Sequence, residues 1–300
     1  VWSFACPQLD LERWNEQLCK LICRRSHRIA LMEVPTTKWR EGLACVRAAE
    51  QCVQELHWHC EHARSLHRVC QVCALQVLTL SNVVVDSKVL SAIESAHNLR
   101  ELVVFNSLPP GGNDDGRHAA MKTLCQALPS RLRKLLIIGA GSTVDDETVR
   151  GALQRFTDLT HLSLRCTAVT GRGFGEKAHR MWPQLHWLDL SGSALIDEGL
   201  ERVAELPLNH LNLEDTAVTP SGLEVLLRTQ RCSLISLNLT GTQCNAADLE
   251  VARECEQLQR VHIDLSDDDE DQLQPCEPLP FQLLPPPLRP STIKALLRCA

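Results

Sequence analysis

The chain contains no tyrosine, and none of its apolar runs reaches the roughly 20 residues that a membrane-spanning helix requires. A spanning helix is therefore excluded. The opening segment, VWSFACPQLD, lacks an initiator methionine and the basic-then-apolar order of a secretory signal. We therefore expect a processed product or a fragment. The formal net charge of −6 argues against general nucleic-acid binding, because that activity needs a clustered positive field.

Cysteine is abundant, but the total of 15 is odd, so at least one thiol lacks an intramolecular partner. Without a secretory signal, this usage favours reduced thiols in an intracellular compartment. We expect the cytoplasm, and the mitochondrion remains open as an alternative. Some cysteines fall near repeat positions that suit a small buried apolar side chain. These are Cys166, Cys232, Cys244 and Cys255.

A repeated pattern, Leu-x-x-Leu-x-Leu, dominates the chain. Segments such as LTHLSLRCTAV and LHWLDLSGSAL recur at 23 to 33 residues, which indicates one supersecondary unit stacked on copies of itself. Eight copies begin at Leu75, Leu99, Leu132, Leu159, Leu185, Leu208, Leu234 and Leu258. Apolar residues also recur five and ten residues after the last leucine, and the latter open helical stretches such as LERVAELP. Strands joined by helical crossovers run parallel.

These residues resemble the leucine-rich repeat family, particularly its ribonuclease-inhibitor-like type. The resemblance covers about residues 74–266 and implies an α/β fold, a right-handed leucine-rich-repeat solenoid with a parallel concave sheet and convex helices. The family usually has Asn or Cys at the turn position. This chain has a hydroxyl there, which can still bond backbone groups of the turn. The hydroxyl residues are Thr167, Ser193, Thr216, Thr242 and Ser266.

The N-terminal flank, residues 1–73, is expected to be a mostly helical capping region, with HRIALMEVP as a possible strand of a degenerate repeat. Its stretch HWHCEHARSLHRVCQVC is the main candidate for metal chemistry. However, a second clean ligand pair at a usual zinc separation is missing, so packing of a cap helix is the favoured interpretation. An insertion at residues 108–120, LPPGGNDDGRHAA, is predicted to be a surface loop.

The C-terminal flank, residues 267–300, is predicted to be an acidic and Pro-rich tail with a short terminal helix after Ser291. We expect that it cannot continue the repeat. One interpretation is a solvated linker. The alternative is that Phe281, Leu283 and Leu284 dock on the solenoid or on another protein.

Residues between the core leucines should line the concave face in columns, one strand apart. The first three copies present a mostly apolar zone, and later copies present Trp187 among polar and charged residues. Contiguous apolar surface is usually covered, and an aromatic among charges is typical of protein-binding faces. The predicted partner-binding residues are Val103, Phe105, Leu136, Ile138, His161, Arg165, Trp187, Asp189, His210, Asn212, Glu214, Arg260 and His262.

Catalysis is not expected. Ser163, His161, Asp189 and His210 invite comparison with a hydrolase, but Ser163 and His161 would lie roughly 6.5 Å apart along one strand, too far for a nucleophile–base hydrogen bond. The run TGRGFGEK is in phase with the repeat turns and lacks the Lys-Ser/Thr of a phosphate loop. We therefore predict no catalytic, cofactor-binding or metal-binding residues.

The sequence thus favours a non-enzymatic scaffold, or a subunit of a larger complex, that binds other proteins through the concave face. One alternative is the substrate-receptor subunit of a ubiquitin ligase, although no adaptor-binding motif is visible. The other is a structural component of a ribosome-like or cytoskeletal assembly. No direct nucleic-acid signature and no membrane segment accompany these hypotheses.

Overall fold

The computed structural model describes residues 28–32, 54–59, 75–81, 83–106, 114–264 and 282–284. One parallel sheet of 11 strands runs through it, and each strand pairs with the next strand in the sequence. The strands are β1 Arg28–Met32, β2 Glu55–His59, β3 Val77–Ser81, β4 Glu101–Phe105, β5 Lys134–Gly141, β6 His161–Thr167, β7 Trp187–Asp189, β8 His210–Asn212, β9 Ser236–Asn238, β10 Arg260–His262 and β11 Gln282–Leu284.

Helices occupy the crossovers between β3 and β10. The α-helices are α1 Ser87–Ser95, α2 Asp114–Ala127, α3 Asp146–Gly151, α4 Ala178–Met181, α5 Asp197–Val203 and α6 Pro220–Thr229. Tighter 3₁₀ segments are Leu153–Arg155, Arg172–Phe174 and Ala246–Glu254. Strand-then-helix units stacked in sequence order confirm the predicted α/β leucine-rich-repeat solenoid.

The core lies between the sheet and the helices. In β3 and β4 buried and half-buried residues alternate, which places the repeat leucines on the side of the sheet that faces the helices. The apolar positions that recur after each strand are also buried, as predicted, because each helix turns one face to the sheet. These are Val169, Leu195, Val218 and Cys244, and then Phe174, Leu200, Leu223 and Leu249.

A threonine hydroxyl closes the turn after β6, β8 and β9, whereas the Ser193 hydroxyl after β7 is buried without such a bond. Thr167 Oγ1 donates to the carbonyl of Leu164 at 2.7 Å, and the equivalent bonds from Thr216 and Thr242 measure 2.7 and 2.6 Å. Each bond satisfies a strand-end carbonyl within the same repeat. The predicted bonding of the turn backbone by threonine is therefore confirmed at these three positions.

Adjacent repeats approach closely at these turns. The Asp146 carboxylate accepts from the amides of Gly171 and Gly173 in the next repeat, at 3.1 and 2.9 Å. Further along, a Cβ on Gly199 would lie 1.8 Å from the Thr170 carbonyl oxygen. The glycines of TGRGFGEK are therefore turn and packing residues, as predicted.

The sheet extends beyond the eight predicted copies at both ends. β1 confirms the predicted strand in HRIALMEVP, whereas the helical prediction for ELHWH is wrong, because Glu55–His59 forms β2 between β1 and β3. The expectation that the tail cannot continue the repeat is also wrong. Gln282–Leu284 pairs with β10 as β11, so the backbone at Leu283 and Leu284 joins the solenoid sheet. The domain limits at residues 73 and 267 stay predictions.

Two further expectations need correction. The insertion at 108–120 is not wholly a loop, because α2 begins at Asp114 and its helical spacing buries Met121, Leu124 and Cys125. Among the four repeat-associated cysteines, Cys244 and Cys255 are buried as expected, but Cys166 and Cys232 are exposed. Cys166 lies near the end of β6, where its backbone adopts a left-handed conformation (φ 54°) that departs from the regular strand alternation.

Candidate binding surface on the concave sheet

Strand pairing aligns the concave residues as predicted. The first column, matched residue by residue, contains Val77, Glu101, Lys134, His161, Trp187, His210, Ser236 and Arg260. The second contains Thr79, Val103, Leu136, Ser163, Asp189, Asn212, Asn238 and His262. Side chains from distant parts of the sequence therefore form one continuous surface.

An apolar zone covers the concave side of β3 to β5. It consists of Val77, Val103, Phe105, Leu136 and Ile138, and all five side chains are half-buried. Val103 is paired with Leu136, and Phe105 with Ile138, so the zone is contiguous across neighbouring strands. The sheet therefore presents a patch of partly exposed hydrophobic surface of the kind that other molecules usually cover.

The second column has a different role along β7 to β9. Asp189 Oδ1 accepts the amide of Ser191 at 3.0 Å, Asn212 Oδ1 that of Glu214 at 3.1 Å, and Asn238 Oδ1 that of Thr240 at 3.1 Å. Each side chain thereby captures a backbone donor two residues ahead and ends its strand after three residues. These polar residues therefore hold the turns together.

Burial separates the predicted contact residues into two groups. Asp189 and Glu214 are only 7% and 5% exposed, so another molecule can reach little of either carboxylate. Arg260 is exposed, while Arg165, Asn212 and His262 are half-buried on the same face. On the polar part of the surface, Arg260 and the half-buried residues are therefore more accessible than the two carboxylates.

A ring cluster lies at the centre of the first column. The His161 ring centroid is 5.7 Å from that of Trp187 and 5.0 Å from that of His186, the latter in an edge-on arrangement. His161 Nδ1 also lies 2.9 Å from Thr160 Oγ1, which orients the imidazole. All three rings are half-buried. They therefore form a fixed but accessible aromatic platform.

His186 was missed by the sequence reasoning. It stands one residue before the first column, and only three positions per strand were assigned to the surface. The signal that could have identified His186 was its position directly before Trp187 in LHWLDL.

The histidines of the cluster lie among positive charges. The pKa of His161 is lowered by burial and then by Lys134 and His186, against an opposing effect of Glu101. The pKa of His210 is lowered by burial and then by Arg260 and His186. Burial and like charge both disfavour the imidazolium form, so protonation of either ring is harder than in water.

The serine on this face is arranged as a structural group. Ser163 is fully buried, and its hydroxyl donates to Asp189 Oδ2 at 3.3 Å. His161 is held by Thr160, as described above. Three of the four residues that invited comparison with a hydrolase, Ser163, His161 and Asp189, thus make contacts that belong to the turn and the ring cluster.

Only part of the candidate metal cluster lies within the described residues. His57 and His59 lie on β2, while Cys60, His62, His67, Cys70 and Cys73 lie outside the described residues. No group of three or more potential metal ligands occurs in the part of the chain that the structure describes. Within those same ranges, no helix has the length and apolar character needed to cross a bilayer.

Comparisons with known proteins identify the fold. Neither a protein-family model nor a curated protein matches the chain. Among solved structures, an internalin from Listeria monocytogenes matches with a TM-score of 0.52 and 16% identity, covering 89% of this chain and 69% of the internalin chain. At that identity the likeness concerns the fold. The chain is a leucine-rich-repeat solenoid whose sheet is partly apolar on its concave side.

Proposed function

We propose that this chain is a non-enzymatic protein-interaction scaffold, or a subunit of a larger complex, that binds a protein partner through its concave sheet. The observation that carries the proposal is the apolar zone, five half-buried hydrophobic side chains on three adjacent strands, of which Val103 and Leu136, and Phe105 and Ile138, are paired in register. Burial of such a surface is the main favourable term in most protein association.

The ring cluster supports the same conclusion. Trp187 stands in the middle of the first column, with His161 and His210 on the adjacent strands. Tryptophan is enriched among residues that dominate binding energy, because it offers a large apolar face and a polar edge. The surface therefore combines a hydrophobic region with a separate aromatic anchor, which suits one elongated partner segment.

Two finer assignments belong to this proposal. We infer the ribonuclease-inhibitor-like type of repeat from the α-helices of the convex side, such as α1, α2 and α6. We infer an intracellular location from the cysteine-rich composition with its odd total.

Site-specific crosslinking tests the proposal. A benzophenone amino acid placed at Phe105 or at Trp187 should yield discrete protein adducts in native extract. The same group at Arg180, exposed on α4 of the convex side, is the matched control. Adducts at Arg180 with none at the two concave positions would overturn the proposal.

A further inference from the structure

The residues that stand one position before those of the first column form a second row along the starts of the strands. The Arg133 amide donates to the Arg100 carbonyl at 2.7 Å, Thr160 to Arg133 at 2.8 Å, and His186 to Thr160 at 3.2 Å. Asn209 continues the row by donating to His186 at 2.8 Å. These bonds order Arg100, Arg133, Thr160, His186 and Asn209 along the end of the sheet where the strands begin, next to the first column.

The two adjacent rows carry an excess of positive charge. Arg100, Arg133 and Arg260 are exposed, and Lys134 is half-buried. We call the basic and imidazole residues of both rows the edge stripe: Arg100, Arg133, Lys134, His161, His186, His210 and Arg260. From Gln76 to Arg260, the only carboxylate in either row is Glu101, whose Oε1 lies 3.1 Å from Lys134 Nζ. Such an excess is notable because the whole chain has a net charge of −6.

The stripe has the dimensions of a short peptide. Arg133 and Arg260 border strands β5 and β10, which are five strand spacings apart, or about 24 Å. An extended peptide rises about 3.4 Å per residue, so about seven residues span that distance. Trp187 lies between the two ends and offers an apolar contact in the middle of the path.

We propose that the edge stripe binds an extended acidic peptide segment of the protein partner, and that binding strengthens when its histidines are protonated. This inference rests on the proposed function and specifies its partner chemistry. Carboxylates along the segment would pair with the exposed guanidinium groups and with the imidazolium forms of His161 and His210.

The surroundings of the two histidines determine the direction of the pH effect. Lys134, His186 and His210 face His161 with like charge, opposed by Glu101, while Arg260 and His186 face His210. A bound carboxylate opposes that repulsion and raises both pKa values. The bound state therefore holds more protons than the free state, and affinity rises as the pH falls through the histidine range.

Nucleic acid is a poorer fit to the same stripe. A polyphosphate needs a dense positive field, whereas here three exposed guanidinium groups are spread along the strand starts of a negatively charged chain. A second copy of this chain is another possible occupant, since residues 267–271 read DDDED. Both occupants become outcomes of the test.

Fluorescence anisotropy with a rhodamine-labelled peptide of seven glutamates tests the inference. At constant ionic strength, the full chain should bind it on the order of tenfold more tightly near pH 6 than near pH 7.5. A peptide of seven glutamines should bind at least tenfold more weakly than the glutamate peptide near pH 6. Binding that is equal for the two peptides, or independent of pH, would overturn the inference.

Variants locate the binding site. Arg133→Gln with Arg260→Gln should weaken glutamate-peptide binding about tenfold. The matched pair Arg150→Gln with Arg180→Gln, exposed on α3 and α4, should leave it unchanged. His161→Gln with His210→Gln should flatten the pH dependence. Equal loss from both arginine pairs would overturn the location.

Three outcomes distinguish this inference from the broader proposal. Tighter binding of a seven-residue oligothymidylate than of the glutamate peptide would make nucleic acid the occupant and overturn the inference. Self-association in sedimentation that is abolished by neutralising residues 267–271 would make a second copy the occupant, with the same consequence. Crosslinks from Trp187 to a protein, with no glutamate-peptide binding, would retain the concave surface and reject its acidic partner.

Discussion

The concave sheet has two regions that end their strands differently. β4 and β5 contain five and eight residues and present Val103 and Leu136 in the second column. β7, β8 and β9 contain three residues each and present Asp189, Asn212 and Asn238 at the matched positions. Only the second set has a side-chain oxygen that can capture a backbone amide.

This difference changes the meaning of polarity on the surface. In the sequence, the polar residues Asp189, Asn212 and Asn238 of the second column look like part of a recognition surface. In the structure, their side-chain oxygens close turns within the chain. The side chains of Val103 and Leu136 in the apolar region carry no oxygen that could close a turn in this way, and the proposed role of that region is contact with a partner. Residue type alone would have suggested that the polar residues, rather than the apolar ones, contact a partner.

The strongest test of the comparison is Asp189→Ala. This change leaves the Ser191 amide without its acceptor and removes the acceptor for the buried Ser163 hydroxyl. We expect the free energy of unfolding to fall by about 2–3 kcal/mol, as for other unpaired buried donors. Urea denaturation followed by circular dichroism measures the change.

Asp189→Asn is the matched variant, because its amide oxygen can still accept from Ser191, and Glu201→Ala on α5 is the surface control. Both should remain close to the unmodified chain. If Asp189→Ala is as stable as Glu201→Ala, the strand-ending role is wrong. Partner-binding experiments should also avoid Asp189, since its loss would confuse destabilisation with loss of contact.

A second test introduces a polar side chain into the apolar region. Val103→Asn places a strand-ending side chain into β4, at the register position that Asp189 occupies in β7. We expect its oxygen to compete for the amide two residues ahead, Phe105, and to reduce stability by about 1 kcal/mol. Amide hydrogen exchange should then be faster at Phe105.

Val103→Thr is the control for this substitution, because its branched side chain keeps the strand preference of valine. Unchanged exchange at Phe105 in the asparagine variant would show that sequence elsewhere determines the strand length.

Much of the fold could be predicted because the leucine period directly encodes the register. Leu78, Leu102 and Leu135 share one register row in the structure, as their positions in the repeat require. β2 escaped prediction because Trp58 occupies the place that Leu80 takes in β3, so the signature was hidden by an aromatic residue. β11 lacks the signature almost entirely.

The site was less predictable than the fold. The columns followed from the two-residue alternation of a strand, but that alternation does not reveal that Asp189 is buried and accepts the Ser191 amide in the following turn. The row containing Arg100, Arg133 and His186 depends on hydrogen bonds between strand starts, which no single repeat reveals. Partner-binding roles for the predicted residues stay predictions.

The smallest expected effect is a pH dependence of stability that arises from His161 on β6 and His210 on β8. The pKa values of His161 and His210 are lowered from 6.5 in the folded chain, so the unfolded chain binds more protons as the pH falls through that value. Their contribution to stability is therefore present above about pH 6.5 and is lost as the pH falls through the folded values. Melting temperatures recorded between about pH 7.5 and pH 5 should show the decline. His161→Gln with His210→Gln should reduce its slope, whereas His97→Gln, exposed after α1, should leave the slope as it was. An identical slope in all three proteins would place the acid sensitivity outside the ring cluster.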